Sequence, residues 1–348
     1  VLNWYEHIRK RPGMYLGATN QRGFINVLRE VLAAQAYGGP YARVGLVLTG
    51  PAAARLAFEA PPTTVQQVPG RAPYWVLLSQ NLEVLNALSE RFYLDLMGPA
   101  GQLQGRRHYR KGREVAAEAF APSAPSLIHA TFQLDPDIWG EAFCWNPDFL
   151  QGELRTFAYL NPGLRLDLAY RVAEVNCRCL FQYDRGLRDC IEIEILRGSG
   201  GAYCLTEIDL TGEGWQLRGA FAFREYSVDA AFLQSYVNQE RSPDHGTHVD
   251  GFLRGLARGL SQYFREQLPI DPDQVLERRI RENIVAALHL QIAHPHYRGA
   301  VKHQLANPEV VEPIAQDVAT AVFERLGADP DLAKRVRGGL LQNIAGMT

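Results

Sequence analysis

The chain has 348 residues, of which 47% are hydrophobic and 21% charged. That balance excludes a mainly disordered protein and supplies apolar side chains for two cores rather than one. Its formal charge is 36 − 38 = −2, so no overall basic field draws in a polyanion, and any nucleic-acid contact needs a local patch.

The opening segment, from Glu6 to Gly17, reads as a basic loop punctuated by Pro12, Gly13 and Gly17. Phe24, Val27, Leu28, Val31 and Leu32 then recur at helical spacing until Gly38-Gly39-Pro40 stops the pattern. Strands are predicted over Val44–Leu48 and Arg55–Phe58, followed by a Pro-, Thr- and Gln-rich loop over Ala60–Ala72. Leu78, Leu82, Leu85 and Leu88 predict a helix, Arg91–Met97, Gln102–Tyr109 and Ile128–Leu134 predict strands, and Ala116–Ser126 reads as a small-residue linker. Asn146 is positioned to cap a helix carrying Phe149, Leu150, Leu154, Phe157 and Leu160. A domain boundary is expected near residue 140.

Beyond it, Tyr203–Leu210 and Trp215–Phe223 alternate around Thr211-Gly212-Glu213-Gly214 as a hairpin. Val249, Phe252, Leu253, Leu256, Leu260 and Tyr263 form one face of a helix from Thr247 to Phe264. A helix over Gln274–Asn283, a strand over Ile284–Ile292 and helices over Val310–Leu326 and Leu332–Gln342 complete the pattern. The strand assignment of Ile284–Ile292 competes with helical spacing that fits almost as well. The sum is an α+β protein of two domains with antiparallel sheets.

The five cysteines, Cys144, Cys177, Cys179, Cys190 and Cys204, are odd in number and lack zinc-knuckle spacing, so reduced core thiols are expected. His294-Pro295-His296 and His245-x-x-His248 have no Cys or carboxylate at metal-site spacing, so surface or hydrogen-bonding histidines are expected. No apolar leader and no bilayer-length apolar run occurs, and a cytoplasmic protein is expected.

Four stretches carry a family resemblance: His7-Ile8-Arg9-Lys10-Arg11-Pro12-Gly13-Met14-Tyr15-Leu16-Gly17; Asn86-Ala87-Leu88-Ser89; Phe157-Ala158-Tyr159-Leu160-Asn161-Pro162-Gly163 with Arg165; and Tyr236-Val237-Asn238-Gln239 with Gly246-Thr247-His248-Val249-Asp250-Gly251-Phe252. In this order they resemble the N-terminal half of the DNA gyrase B and topoisomerase IV B protein family. The resemblance implies a GHKL (Bergerat-type) α/β sandwich over 1–140 and a ribosomal S5 domain 2-like transducer over 141–348. It implies ATP and Mg²⁺ as ligands, dimerisation with itself or pairing with a topoisomerase subunit, and contact with DNA.

The site residues implied by that resemblance are largely replaced. Glu30 stands at the general-base position, but Ala33 and Ala34 occupy the Asp-Asn pair that supplies the Mg²⁺ ligand, and a methyl group has no oxygen to offer a metal. Glu59 stands near the adenine-reading Asp, followed by Ala60-Pro61-Pro62 in place of glycines; prolines remove amide donors and fix φ. The approach to the next helix, Trp75-Val76-Leu77-Leu78-Ser79-Gln80-Asn81, has no glycine to build a phosphate cradle, and Leu127-Ile128 replaces a Gly-Thr pair. Lys302, in Tyr297-Arg298-Gly299-Ala300-Val301-Lys302, keeps the lysine of the transducer's switch loop, with Ala300 at the glutamine position. The expectation is therefore a pseudo-ATPase with no cofactor and no resident metal, its vestigial positions being Glu30, Glu59 and Lys302. DNA cleavage by this chain is not expected either, since it ends at the transducer. A working ATPase of a divergent topoisomerase is the alternative. Arg278, Arg279 and Arg281, or the run from Arg106 to Arg113, are the DNA-contact candidates.

Overall fold

The computed structural model describes residues 4–37, 43–59, 80–118, 127–198, 202–224, 231–265, 273–299 and 302–338. The chain divides into two units, Val1–Asp184 and Arg185–Thr348.

In the first unit, period-two patterning builds an eight-stranded sheet. Its strands are β1 (Arg43–Gly50), β2 (Ala53–Glu59), β3 (Ser89–Met97), β4 (Leu103–Arg110), β5 (Arg113–Ala117), β6 (Leu127–Leu134), β7 (Arg165–Val172) and β8 (Val175–Phe181), in spatial order β5-β4-β3-β6-β2-β1-β7-β8. Leu94, Ala130, Leu56, Leu46 and Leu168 are direct cross-strand neighbours, so one buried row crosses five strands. The neighbouring row on the opposite face is Asp95, His129, Ala57, Gly45 and Asp167. A one-residue slip in any strand would exchange these rows, so burial sets the register.

The apolar face is covered by α3 (Gln21–Tyr37), α4 (Gln80–Ala87) and α6 (Pro147–Leu160), which contribute Phe24, Leu28, Val31, Leu82, Leu85, Leu150, Leu154 and Phe157 to one core. Phe24 of α3 reaches Phe132 of β6 with ring centroids 6.0 Å apart. Asn146 caps α6 as expected, its side chain accepting from the amides of Asp148 and Phe149.

Several sequence expectations are revised. The opening loop is instead two short helices, α1 (Trp4–Lys10) and α2 (Pro12–Leu16), with Pro12 at a helix start where its missing N–H is harmless. The first two residues of the expected linker, Ala116 and Ala117, instead end β5, an edge strand exposed along its whole length with no buried face to mark it in the sequence, and residues 119–126 lie outside the described part of the structure. The units divide after Asp184 rather than near residue 140, because α6 packs into the first core and β7 pairs in parallel with β1. That pairing, with a second parallel pair below, also makes both sheets mixed rather than antiparallel. α5 (Pro136–Trp139) completes this unit.

The second unit starts with α7 (Leu187–Arg197) and holds a five-stranded sheet, β12-β11-β13-β10-β9. The strands are β9 (Ala202–Gly212), β10 (Trp215–Arg224), β11 (Phe232–Val237), β12 (Glu240–Arg241) and β13 (Ile284–Ile292). The predicted hairpin is β9–β10, with Leu210 opposite Leu217. β13 lies between β10 and β11 and pairs in parallel with β11. Every residue from Ile284 to Leu290 is buried, which is why its spacing fitted a helix almost as well as a strand.

α8 (Thr247–Phe264) and α10 (Val311–Ala328) pack against each other over the sheet, with α9 (Asp273–Asn283) and α11 (Pro330–Val336) beside them. Their contact is close because Gly251, Gly255 and Gly259 line α8 at four-residue intervals. A Cβ on each would lie 2.7 Å from the carbonyl oxygen of Val311, Ala315 and Ala319 respectively.

Candidate functional site

The basic signature at the start of the chain serves packing. Arg9 donates from Nη1 to the Ala87 carbonyl at 2.8 Å and from Nη2 to Asp135 at 2.5 Å. Asp135 is fully buried and also lies 3.3 Å from Lys111 Nζ, at the turn between β4 and β5. Burial opposes its charge, but bonds from Arg9, the Asp137 amide and Lys111 outweigh that and hold the carboxyl below the usual range. Lys111 adopts φ 52° and Gly112 φ 81° there, where a Cβ on Gly112 would strike the Tyr5 ring of α1. The signature thus ties α1 to α4, to the cap of α5 and to one hairpin. Asn86 of the second signature is wholly buried, and its carboxamide has no hydrogen-bond partner among the described residues; Ser89 donates to the Leu85 carbonyl at 2.7 Å.

Glu30 is on α3, exposed, and among the described residues it makes no ion pair or hydrogen bond. Its neighbour Arg29 is salt-bridged to Glu153 of α6. Ala33 and Ala34 lie further along the same helix. Glu59 is the last residue of β2, paired with Leu127. The residues from Ala60 to Ser79, including Trp75 and Leu78, lie outside the described part of the structure.

Lys302 belongs to the second unit, where its Nζ is 3.8 Å from Glu240 with the side chain 62% exposed. The DNA-contact candidates are largely self-neutralised. Arg278 pairs with Glu282 at 2.9 Å and Arg281 with Glu277 at 2.9 Å, one helical turn away on α9, while Arg279 offers its backbone carbonyl to Asn283. The Arg106–Arg113 run is paired as well, Arg106 with Asp95, Arg107 with Glu114, Arg110 with Glu90 and Arg113 with Glu6.

His294 and His296 are exposed and His245 shares a hydrogen bond with the Ser235 hydroxyl, as expected, whereas His248 and His289 are buried. Gly246, at φ 124°, lets the backbone come so near Leu305 that a Cβ would sit 2.3 Å from its carbonyl oxygen. Just after it, His248 is wholly buried, and neither ring nitrogen is hydrogen-bonded among the described residues. Burial, then His245 and His289, push its pKa down to about 3. His289 is buried beside the Asn238 carbonyl, and burial lowers it to about 4. No group of three metal-ligating side chains occurs among the described residues. Of the described cysteines only Cys190 is a core thiol, pushed up to about 12 by burial, whereas Cys144 is exposed. No helix among the described residues is long and apolar enough to cross a membrane.

Residues 192–344 match the family model described as DNA gyrase B. The DNA gyrase B protein of Thermotoga maritima is 25% identical over 97% of this chain and 57% of its own length, and that of Halalkalibacterium halodurans is 26% identical over 99% and 58%. The chain thus spans a little over half the length of the curated relatives it matches. The 43K ATPase domain of Thermus thermophilus gyrase B, solved with an aminocoumarin, superposes with a TM-score of 0.79 at 22% identity, covering 98% of this chain and 96% of that one. The topoisomerase IV ATP-binding domain of Francisella tularensis gives 0.71 at 18% identity, covering 96% and 95%. With a GHKL-type sheet and helices first and a transducer fold second, the chain is similar over nearly its whole length to the N-terminal region of DNA gyrase B proteins.

Proposed function

We propose that this chain is a gyrase B-like ATPase–transducer module that no longer binds Mg-ATP productively and acts through contacts with protein or DNA. The observation carrying this reading is α3: it bears Glu30, and Ala33 and Ala34 follow within the same helix, where the family resemblance expects the metal's oxygen ligand. Methyl groups do not fit Mg²⁺, which demands near-ideal octahedral oxygen coordination. The replacement of glycines by Pro61 and Pro62 after β2 supports the same conclusion. Partners of the proposed kind are a second copy or a topoisomerase subunit, in the cytoplasm.

The second reading, an ATP-hydrolysing region of a divergent topoisomerase, is favoured by one fact: Glu30 is exposed and unspent on other side chains among the described residues. Calorimetric titration of the chain with ATP, with and without Mg²⁺, separates the two. The pseudo-ATPase reading expects no Mg²⁺-dependent heat. Micromolar, Mg²⁺-dependent binding that disappears in Glu30→Ala would overturn it.

A further inference from the structure

The first sheet carries a second cluster of charge on the face away from α3, α4 and α6. Asp167 of β7 has a side chain only 9% exposed, and three guanidiniums converge on it. Arg43 of β1 donates from Nε at 2.7 Å; Arg178 of β8 donates from Nε at 3.1 Å and Nη2 at 2.9 Å; Arg165 Nε lies 3.6 Å away. Burial works against the Asp167 charge, but Arg178 and Arg43 hold its carboxyl below the usual range.

Neutralising one carboxylate needs one cation, and here three are supplied. Arg43 and Arg165 are direct cross-strand neighbours, a like-charge placement that costs stability in an isolated sheet. The Arg165 Nε is also buried, with no hydrogen-bond partner among the described residues. The arginine side chains remain 43%, 39% and 60% exposed for Arg43, Arg165 and Arg178, so their outer N–H groups face solvent.

We propose that this cluster is an oxyanion site for a dianionic phosphate group, free or as a phosphomonoester. Asp167 is the organiser that holds the forks in place, and the ligand sits over their outer edges. Among the described side chains the excess is two positive charges, which matches a phosphate monoester carrying about −1.5 to −2 near neutral pH. Forks arriving from three adjacent strands suit an anion with three acceptor oxygens. A carboxylate has only two in one plane, and a phosphodiester carries a single charge. The site is on the opposite face of the sheet from Glu30 and stands independently of the nucleotide question.

The test is calorimetry with inorganic phosphate at pH 7.5, ionic strength being matched with potassium chloride, and a second arm with glycerol phosphate. Saturable binding is expected, weakened about tenfold or more in Arg178→Gln and in Arg165→Gln, since each removes a charge-assisted hydrogen bond. Arg178 is on an edge strand and its loss leaves the core untouched. Arg55→Gln, two strands away on the same face, is expected to leave the affinity unchanged. Binding of phosphate alone assigns the site to the free ion; tighter binding of the ester assigns it to a phosphomonoester. The proposal fails if binding is not saturable, if acetate binds as well, or if Arg55→Gln weakens binding as much as Arg178→Gln. It also fails if a duplex with unphosphorylated ends displaces phosphate at matched ionic strength.

Discussion

Replacing Gly255 by alanine tests the close contact between α8 and α10. In a solvent-exposed helix that change stabilises by up to about 1 kcal/mol, because alanine loses less backbone entropy. Here the new Cβ would lie 2.7 Å from both the Ala315 carbonyl oxygen and the Val318 Cβ, and 3.0 Å from the Ala315 Cα. Ordinary carbon contacts begin near 3.5 Å, so relief requires moving α10 by close to an ångström. The obstacles are mainly backbone atoms and a Cβ, which no rotamer change can shift. Gly251 and Gly259 meet the same helix at equal distance, so tilting α10 away from one glycine loosens its packing on the others. Overpacking at the upper end of its usual range, about 3 kcal/mol, less about 1 kcal/mol of helix propensity, leaves a net loss near 2 kcal/mol. For a unit of this size that is a fall of roughly 4–8 °C in the melting temperature of the second unit. Gly152→Ala is the matched control: Gly152 is mid-helix in α6, with nothing within 4 Å of its added Cβ, and should raise stability slightly. Calorimetric scans or urea titrations of both variants decide the matter. A Gly255→Ala protein at least as stable as the parent would refute the reasoning.

Acid should weaken the second unit through its buried histidines. Their folded pKa values of about 4 for His289 and about 3 for His248 lie below the ordinary 6.5, so the unfolded chain binds more protons and stability falls as pH drops below 6.5. At pH 5 each group contributes a loss of about 2 kcal/mol, roughly 4 kcal/mol together, continuing down to about pH 4 for His289 and about pH 3 for His248. Urea midpoints measured between pH 7.5 and 5 should decline, and less steeply in His289→Gln; a flat profile would contradict the burial argument. Asp135→Asn removes the negative charge shared by Arg9 and Lys111. It should cost about 3 kcal/mol in urea unfolding, as loss of one partner of a buried pair does, and a loss under about 1 kcal/mol would mean that the signature does not clamp the first unit.

Much of the fold was legible in the sequence because local rules agree with the global result. Asn146 caps α6, Leu210 and Leu217 meet across a hairpin, and α8 spans Thr247–Phe264 with the apolar face its spacing announced. Element identity needs only short-range periodicity and capping, and that information is local. The motifs likewise placed Glu30 on a helix of the first unit and Lys302 in a loop of the second.

What only the tertiary structure decided depends on residues far apart in the chain. The break after Asp184 follows from β7 returning beside β1, a parallel pairing across more than a hundred residues that leaves no local trace. Gly251, Gly255 and Gly259 are visible as a four-residue repeat, yet only the approach of α10 turns them from weak helix positions into the contact surface. His248 is a polar residue whose burial depends on everything packed around it. Arg43, Asp167 and Arg178 look like unrelated charges on three strands until register places them side by side. Charge balance was readable for the whole chain, but its distribution was not: pairing neutralises most of the Arg106–Arg113 and Arg278–Arg281 runs and leaves an excess around Asp167, where no run of basic residues marks it.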